Sequence, residues 1–131
     1  VGDQDLLKKV EPVIVKIAEA ADEGLNPDGS MIYENFVSKG KIDRELHWWV
    51  QAENVVGHVN LFQHFGDEEA LQIALRCWNF IQTKLVDKVH GEWHWSLYAD
   101  GTINMKDDKA GFWKCPYHNG RMCMEILERF S

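Results

Sequence analysis

Residues 113–121 bring together an indole (Trp113), a phenol (Tyr117), an imidazole (His118) and a guanidinium (Arg121), just ahead of the last apolar segment. Pro116 lacks an N–H and biases Cys115 towards extended geometry, so no helix is expected through that point. Asn119 and Gly120 allow tight turns before Met122, Cys123, Ile126 and Leu127 resume a helical period. These side chains are therefore expected on a rigid approach to a helix start, a common place to mount chemistry. An imidazole there could exchange protons near neutral pH. Metal binding is the competing chemistry. Cys115, His118 and Cys123 follow a Cys-x2-His-x4-Cys spacing with His90 or His94 nearby, but structural zinc takes four protein ligands. Cys123 also falls on the apolar side of the last helix, so no metal is expected.

A second constellation lies on a helix predicted over residues 46–65. Trp48, Ala52, Val55, Val59 and Phe62 line one face at helical spacing, and Gly66 is placed to end the helix. A neighbouring stripe holds Trp49, Glu53, Gly57, Asn60 and His64. Trp49 and Glu53, at i and i+4, stand one above the other on a face that is aromatic and polar. Trp48 heads the apolar stripe and belongs to the core.

The elements that must position these groups are mostly helical. Apolar period predicts a first helix over about residues 5–23, interrupted or started by Pro12. Gly24, Asn26, Pro27, Asp28 and Gly29 then break it, and Met31–Tyr33 reads as a short extended piece. Asp67 caps a third helix over residues 68–86, apolar around more than half its circumference and so expected to be covered on both sides. Across residues 90–111 the period changes: Trp93, Trp95 and Leu97 alternate, and Asp100–Gly101 signals a turn, which predicts a small inserted β-hairpin. A fourth helix is predicted over residues 119–129. The order suits an all-α array of helical hairpins with long aromatic loops at one end.

Composition excludes several classes. The 131 residues are 45% hydrophobic and 27% charged, a globular balance, and six tryptophans suggest a lined cavity or aromatic interface as well as core. With 14 basic against 21 acidic residues the net charge is −7, and no basic stripe exists to bind a phosphate backbone. No apolar run approaches the roughly 18–20 residues of a membrane span. The start lacks a signal-peptide pattern, and three unpatterned cysteines read as reduced thiols of a cytoplasmic protein. Neither nucleic acid nor a membrane is an expected partner.

Three ordered motifs resemble a known family. Trp48–Trp49–Val50–Gln51–Ala52–Glu53 is similar to the WWPQAE-like motif of cellobiose 2-epimerases in the N-acylglucosamine 2-epimerase superfamily. Gly91–Glu92–Trp93–His94–Trp95 resembles their GEWFW-like hairpin, and residues 108–123 resemble their near-C-terminal signature. The resemblance implies an (α/α)6 barrel around a sugar cleft. It implies reversible epimerisation at C2 of a reducing-end sugar through a cis-enediolate, without a redox cofactor or metal. Carried over residue by residue, His118 matches a catalytic histidine and Glu53 the acidic residue supporting the reacting sugar. Trp49 and Trp113 match sugar-contacting indoles, and Arg121 a sugar or enediolate contact.

The chain departs from the family in two ways. Val50 replaces a more usual proline, a minor change. The larger departure is length: complete barrels are about three times longer, and this chain resembles only the C-terminal part. The family's upstream His-x-x-Glu has no counterpart, since none of His47, His58, His64, His90 or His94 has a glutamate three residues on. The upstream substrate arginine is absent too. Residues 1–131 are thus expected to form one partial domain, inactive alone, whose exposed inner helix faces favour self-association. A non-catalytic carbohydrate-binding or interaction fragment using the same aromatics is the alternative. A glycosidase would need two flanking carboxylates, and no such pair is obvious.

Overall fold

Helix α2 (Trp48–Phe65) is the element on which the others are arranged in a computed structural model that describes residues 2–131. It packs against α3 (Glu68–Phe80) and α4 (Tyr117–Phe130), while α1 (Gln4–Asp22) lies apart from that core. Trp48, Ala52, Val55 and Val56 of α2 meet Cys77 and Phe80 of α3 and Met122 of α4 in one buried cluster. Trp93 and Leu97 close it from the long loop between α3 and α4. Trp48 is 2% exposed, the core placement its stripe implied.

Gly66, at φ +69°, ends α2 in the left-handed conformation that glycine adopts at no steric cost. Asp67 then caps α3 by accepting from the Ala70 N–H at 3.0 Å. The third helical segment ends where its apolar period suggests, but its last turn changes type. After Phe80 the backbone relaxes into a π-turn over Ile81–Leu85, and Val86 bridges to Trp93. Leu75 remains half exposed, so α3 is not covered on both sides.

Helix α1 runs unbroken through Pro12, capped at its start by Asp3, which accepts from the Asp5 and Leu6 N–H groups. None of its residues is buried, and Leu6, Leu7, Val10, Val13, Ile14 and Ile17 are 38–65% exposed. The breaker cluster after it is gripped by polar groups of α2. Gln51 exchanges two hydrogen bonds with the Met31 backbone, and Asn54 donates to the Gly29 carbonyl at 2.9 Å. Gly29 has φ +83°, and a Cβ there would stand 2.6 Å from the Cys77 backbone nitrogen. Only glycine lets that loop lie so close to α3.

Four short strands complete the fold among the described residues. Strands β1 (Glu34–Phe36) and β2 (Lys41–Asp43) form an antiparallel hairpin around a 3-10 turn, a pairing the sequence period did not announce. Strands β3 (Leu46–His47) and β4 (Ser96–Leu97) pair antiparallel, and the Trp48 N–H continues the ladder to the Trp95 carbonyl at 3.0 Å. Residues 46 and 47 are therefore strand, because their backbone groups are taken by the 95–97 segment. The expected hairpin within residues 90–111 is short: the Leu97–Ile103 bridge around the Asp100–Gly101 turn is flanked by the Tyr98 N–H to the Thr102 carbonyl at 2.8 Å and the Asn104 N–H to the Ser96 carbonyl at 3.0 Å. The main partner of Leu97 is Leu46.

Helix α4 begins at Tyr117, two residues before the sequence-based start. Its buried face is Asn119 and Met122, joined partly by Ile126. Cys123 and Leu127 are exposed, contrary to the apolar side expected for them, because the helix turns positions 119, 122 and 126 inward instead. Among the described residues no helix is long and apolar enough to cross a membrane.

Candidate functional site

Two helices supply the site. Glu53 lies on the partly exposed stripe of α2, one turn beyond Trp49, and His118 and Arg121 lie on the first turn of α4. His118 is thus a helix residue rather than a loop residue. His118 Nδ1 stands 2.6 Å from Glu53 Oε1, with both side chains about one-third exposed (31% and 35%). Arg121 donates to the same Glu53 oxygen from Nη2. That hydrogen bond, with the adjacent negative charge, raises the Arg121 pKa further above its ordinary value. A carboxylate only accepts, so Nδ1 faces Glu53 as a donor, and in the neutral imidazole that tautomer leaves the lone pair on Nε2.

Aromatic rings enclose the imidazole. Trp49 lies 5.7 Å from it at a 41° tilt, while Trp48 at 5.4 Å and Tyr117 at 4.9 Å meet it edge-on. Arg121 also stacks over Tyr117 at 5.1 Å, which restrains the guanidinium. Four of the five residues singled out from sequence therefore converge: Trp49, Glu53, His118 and Arg121. Trp113 does not join them. It is 81% exposed, and its ring contact is with Phe112, edge-to-face at 4.9 Å.

A cleft of about 510 Å³ runs between the end of α1 and the stripe of α2. Trp49, Glu53 and Gly57 form one wall and Tyr33, Ala18 and Ala21 face them, whereas His118 meets Glu53 from outside this lining. Tyr33 escaped the sequence reading. It stacks on His47 at 4.1 Å and stands edge-on to Trp49 at 6.2 Å, extending the aromatic surface. Burial lowers the His47 pKa, opposed by Glu45 and Asp43. The only available signal was the extended Met31–Tyr33 piece following the breaker cluster.

Also unforeseen were the buried polar residues of α2. Gln51, Asn54 and His58 fall at i, i+3 and i+7, a spacing visible in the sequence but overshadowed by the apolar stripe. His58 Nδ1 is 3.0 Å from the Asn54 carbonyl and Nε2 is 3.1 Å from Asp22 Oδ1, which ties α1 to α2 at the far end of the cleft. Behind the site, Lys114 is 2% exposed, and burial pulls its pKa below the ordinary lysine value against the opposing charge of Glu92. Among the described residues no three His, Cys, Asp or Glu side chains converge as metal ligands, and all three cysteines are free.

The helices, their aromatic loops and this cleft define part of an (α/α)6 barrel of the sugar epimerase kind. The N-acylglucosamine 2-epimerase (GlcNAc 2-epimerase) family model matches residues 2–120, and the chain belongs to that family. A cellobiose 2-epimerase of Bacteroides fragilis is 63% identical over 126 residues, covering 96% of this chain and 32% of that protein. The crystal structure of a sugar epimerase from a ruminal bacterium superposes with a TM-score of 0.90 at 41% identity, covering 98% of this chain and 33% of that one. The cellobiose 2-epimerase of Bacillus thermoamylovorans gives 0.83 at 41% identity, over 92% and 30% of the two chains. The chain thus spans about a third of the length of these relatives.

Proposed function

We propose that these residues form one half of a proton-transfer site for C2 epimerisation of a reducing-end sugar of the cellobiose, mannobiose or N-acylglucosamine type. The 2.6 Å contact between His118 Nδ1 and Glu53 carries this reading. With Nδ1 engaged, Nε2 is the free base, and C2 of an opened sugar is acidic because its carbanion is delocalised onto the adjacent aldehyde. Removal of that proton gives a cis-enediolate, and return of a proton to the other face inverts C2. Trp49 offers a platform for the sugar, and Arg121 offers positive charge where the enediolate oxygens develop theirs. Trp113 contributes only if its loop brings it over the cleft.

Inversion needs proton exchange on both faces. The contacts of His118 are with Glu53, Trp48, Trp49 and Tyr117, and none is a second imidazole. The chain alone is therefore expected to bind sugar without epimerising it. The test replaces the corresponding third of the Bacteroides fragilis relative, 63% identical, with residues 1–131 and supplies cellobiose in D2O. Epimer carrying deuterium at C2 is expected from the hybrid and not from the chain alone or from the His118→Asn hybrid. Full turnover by the His118→Asn hybrid would sink the assignment. Quenching of tryptophan fluorescence by cellobiose, with an inactive hybrid, would favour the purely carbohydrate-binding reading.

A further inference from the structure

The Gly91–Glu92–Trp93 corner, where Trp93 bridges to Val86, has an unusual backbone. Glu92, at φ +63°, is the only non-glycine residue with positive φ among the described residues, and it directly follows Gly91 at φ +76°. A side chain disfavours that conformation and glycine does not, so a glutamate there needs a reason in its carboxylate.

One oxygen of the carboxylate carries its contacts. Glu92 Oε1 accepts from the Trp93 N–H at 3.0 Å and from Asn119 Nδ2 at 2.9 Å, and it lies 3.4 Å from Lys114 Nζ. Lys114 has a side chain only 1% exposed. Its ammonium also donates to the Trp93 carbonyl and, at 2.7 Å, to the Lys109 carbonyl, and sits 5.2 Å over the Trp48 ring. Asn119 is 7% exposed and follows His118 on the first turn of α4. Glu92 thus holds that turn through Asn119 and the strand of loop before it through Lys114. Trp48 also meets His118, edge-on at 5.4 Å.

We propose that Glu92 is a positioning residue: through Asn119 and Lys114 it fixes the rotation of the first turn of α4, and so the approach of His118 Nδ1 to Glu53. The proposal rests on reading His118 and Glu53 as the reacting pair, but the contact can be measured without turnover. Helix α4 has no side-chain cap at Pro116, so its first turn depends on outside contacts for its orientation. A carboxylate kept in a glycine-like backbone conformation supplies one of them.

The experiment follows the His118 ring N–H by NMR in the 15N-labelled chain, assigned by its loss in His118→Asn. Glu92→Gly removes the carboxylate while relieving the backbone. It is expected to speed solvent exchange of the ring proton by about tenfold, as local opening of the turn becomes easier. Glu92→Gln keeps an acceptor for Asn119 and should restore most of the protection. Should Glu92→Gly fail to fold, Asn119→Ala cuts only the arm to α4 and should give the same acceleration. Unchanged exchange in whichever of these two variants folds would overturn the proposal. A slow ring proton in a hybrid that does not epimerise would instead sink the reaction assigned to the pair and leave this positioning role standing.

Discussion

Glu53 Oε1 and His118 Nδ1 stand 2.6 Å apart across 65 residues of sequence, joined by a side chain from each of two packed helices. The contact exists because α2 carries its core face and its site face side by side, so packing α4 on the first delivers His118 to the second. Glu53→Gln should therefore keep the fold while weakening the orientation of the imidazole. In the hybrid with the longer relative, kcat on cellobiose is expected to fall about 100-fold with a smaller change in KM. Steady-state kinetics check this, and an unchanged kcat would remove Glu53 from the site.

The tryptophans divide by burial. Trp48→Ala empties a fully packed position and should cost about 3–5 kcal/mol, while Trp113→Ala at 81% exposure should change stability by about 0.5 kcal/mol or less. Urea unfolding of the two variants distinguishes them. A large loss for Trp113→Ala would mean that its loop packs more closely than its exposure implies.

His58 fastens α1 to the rest of the chain. Its replacement by alanine leaves the Asp22 carboxylate and the Asn54 carbonyl without their shared partner, at a cost of about 1–3 kcal/mol. The effect should be local. Amide exchange should quicken along α1 and stay slow in α2 and α3, as residue-resolved hydrogen exchange will show.

The Asp87 carboxyl is held well below the usual carboxylate range, first by its hydrogen bond with Lys109 at 2.6 Å and then by the His90 and Val89 N–H groups. A depressed folded pKa means that the unfolded chain binds the proton more readily. The contribution is therefore present above the unfolded carboxylate pKa of about 3.9 and lost as pH falls through the folded value. Carboxyl 13C titration should place the Asp87 midpoint below that of a free aspartate, and Lys109→Met should move it upward. No movement would show that the lysine contact is not the main cause.

The exposed face of α1 should make the isolated chain associate. Six apolar residues in a row of helical turns exceed what a monomeric surface usually shows. Sedimentation velocity is expected to show mass rising with concentration, and Val10→Glu with Ile14→Glu to abolish the rise. A monomer at every concentration would contradict it.

Much of the geometry of the candidate site was legible because its residues obey local rules. Trp49 and Glu53 share a stripe by the geometry of one helix, and Gly66 and Asp67 end and start helices by their own backbone preferences. What was illegible depends on partners distant in sequence. Leu46 and His47 look helical until Ser96 and Leu97 claim their backbone. Cys123 looks buried until the packing of α4 selects Asn119 and Met122 instead. Nothing local marks Lys114 for burial, which comes from two carbonyls, a carboxylate and an indole around it. Motif resemblance reached His118 and Arg121, where period alone could place neither.

Trp48 and Trp49 are adjacent, yet one is core and the other faces the cleft. Each residue of a helix advances by about 100°. Losing or gaining one residue of α2 between Trp49 and Glu53 would thus turn the two about 100° apart and break the stripe they share. Variation in chain length is intolerable there, whereas the β1–β2 hairpin, with Val37 82% exposed at its turn, can grow or shrink without disturbing either face.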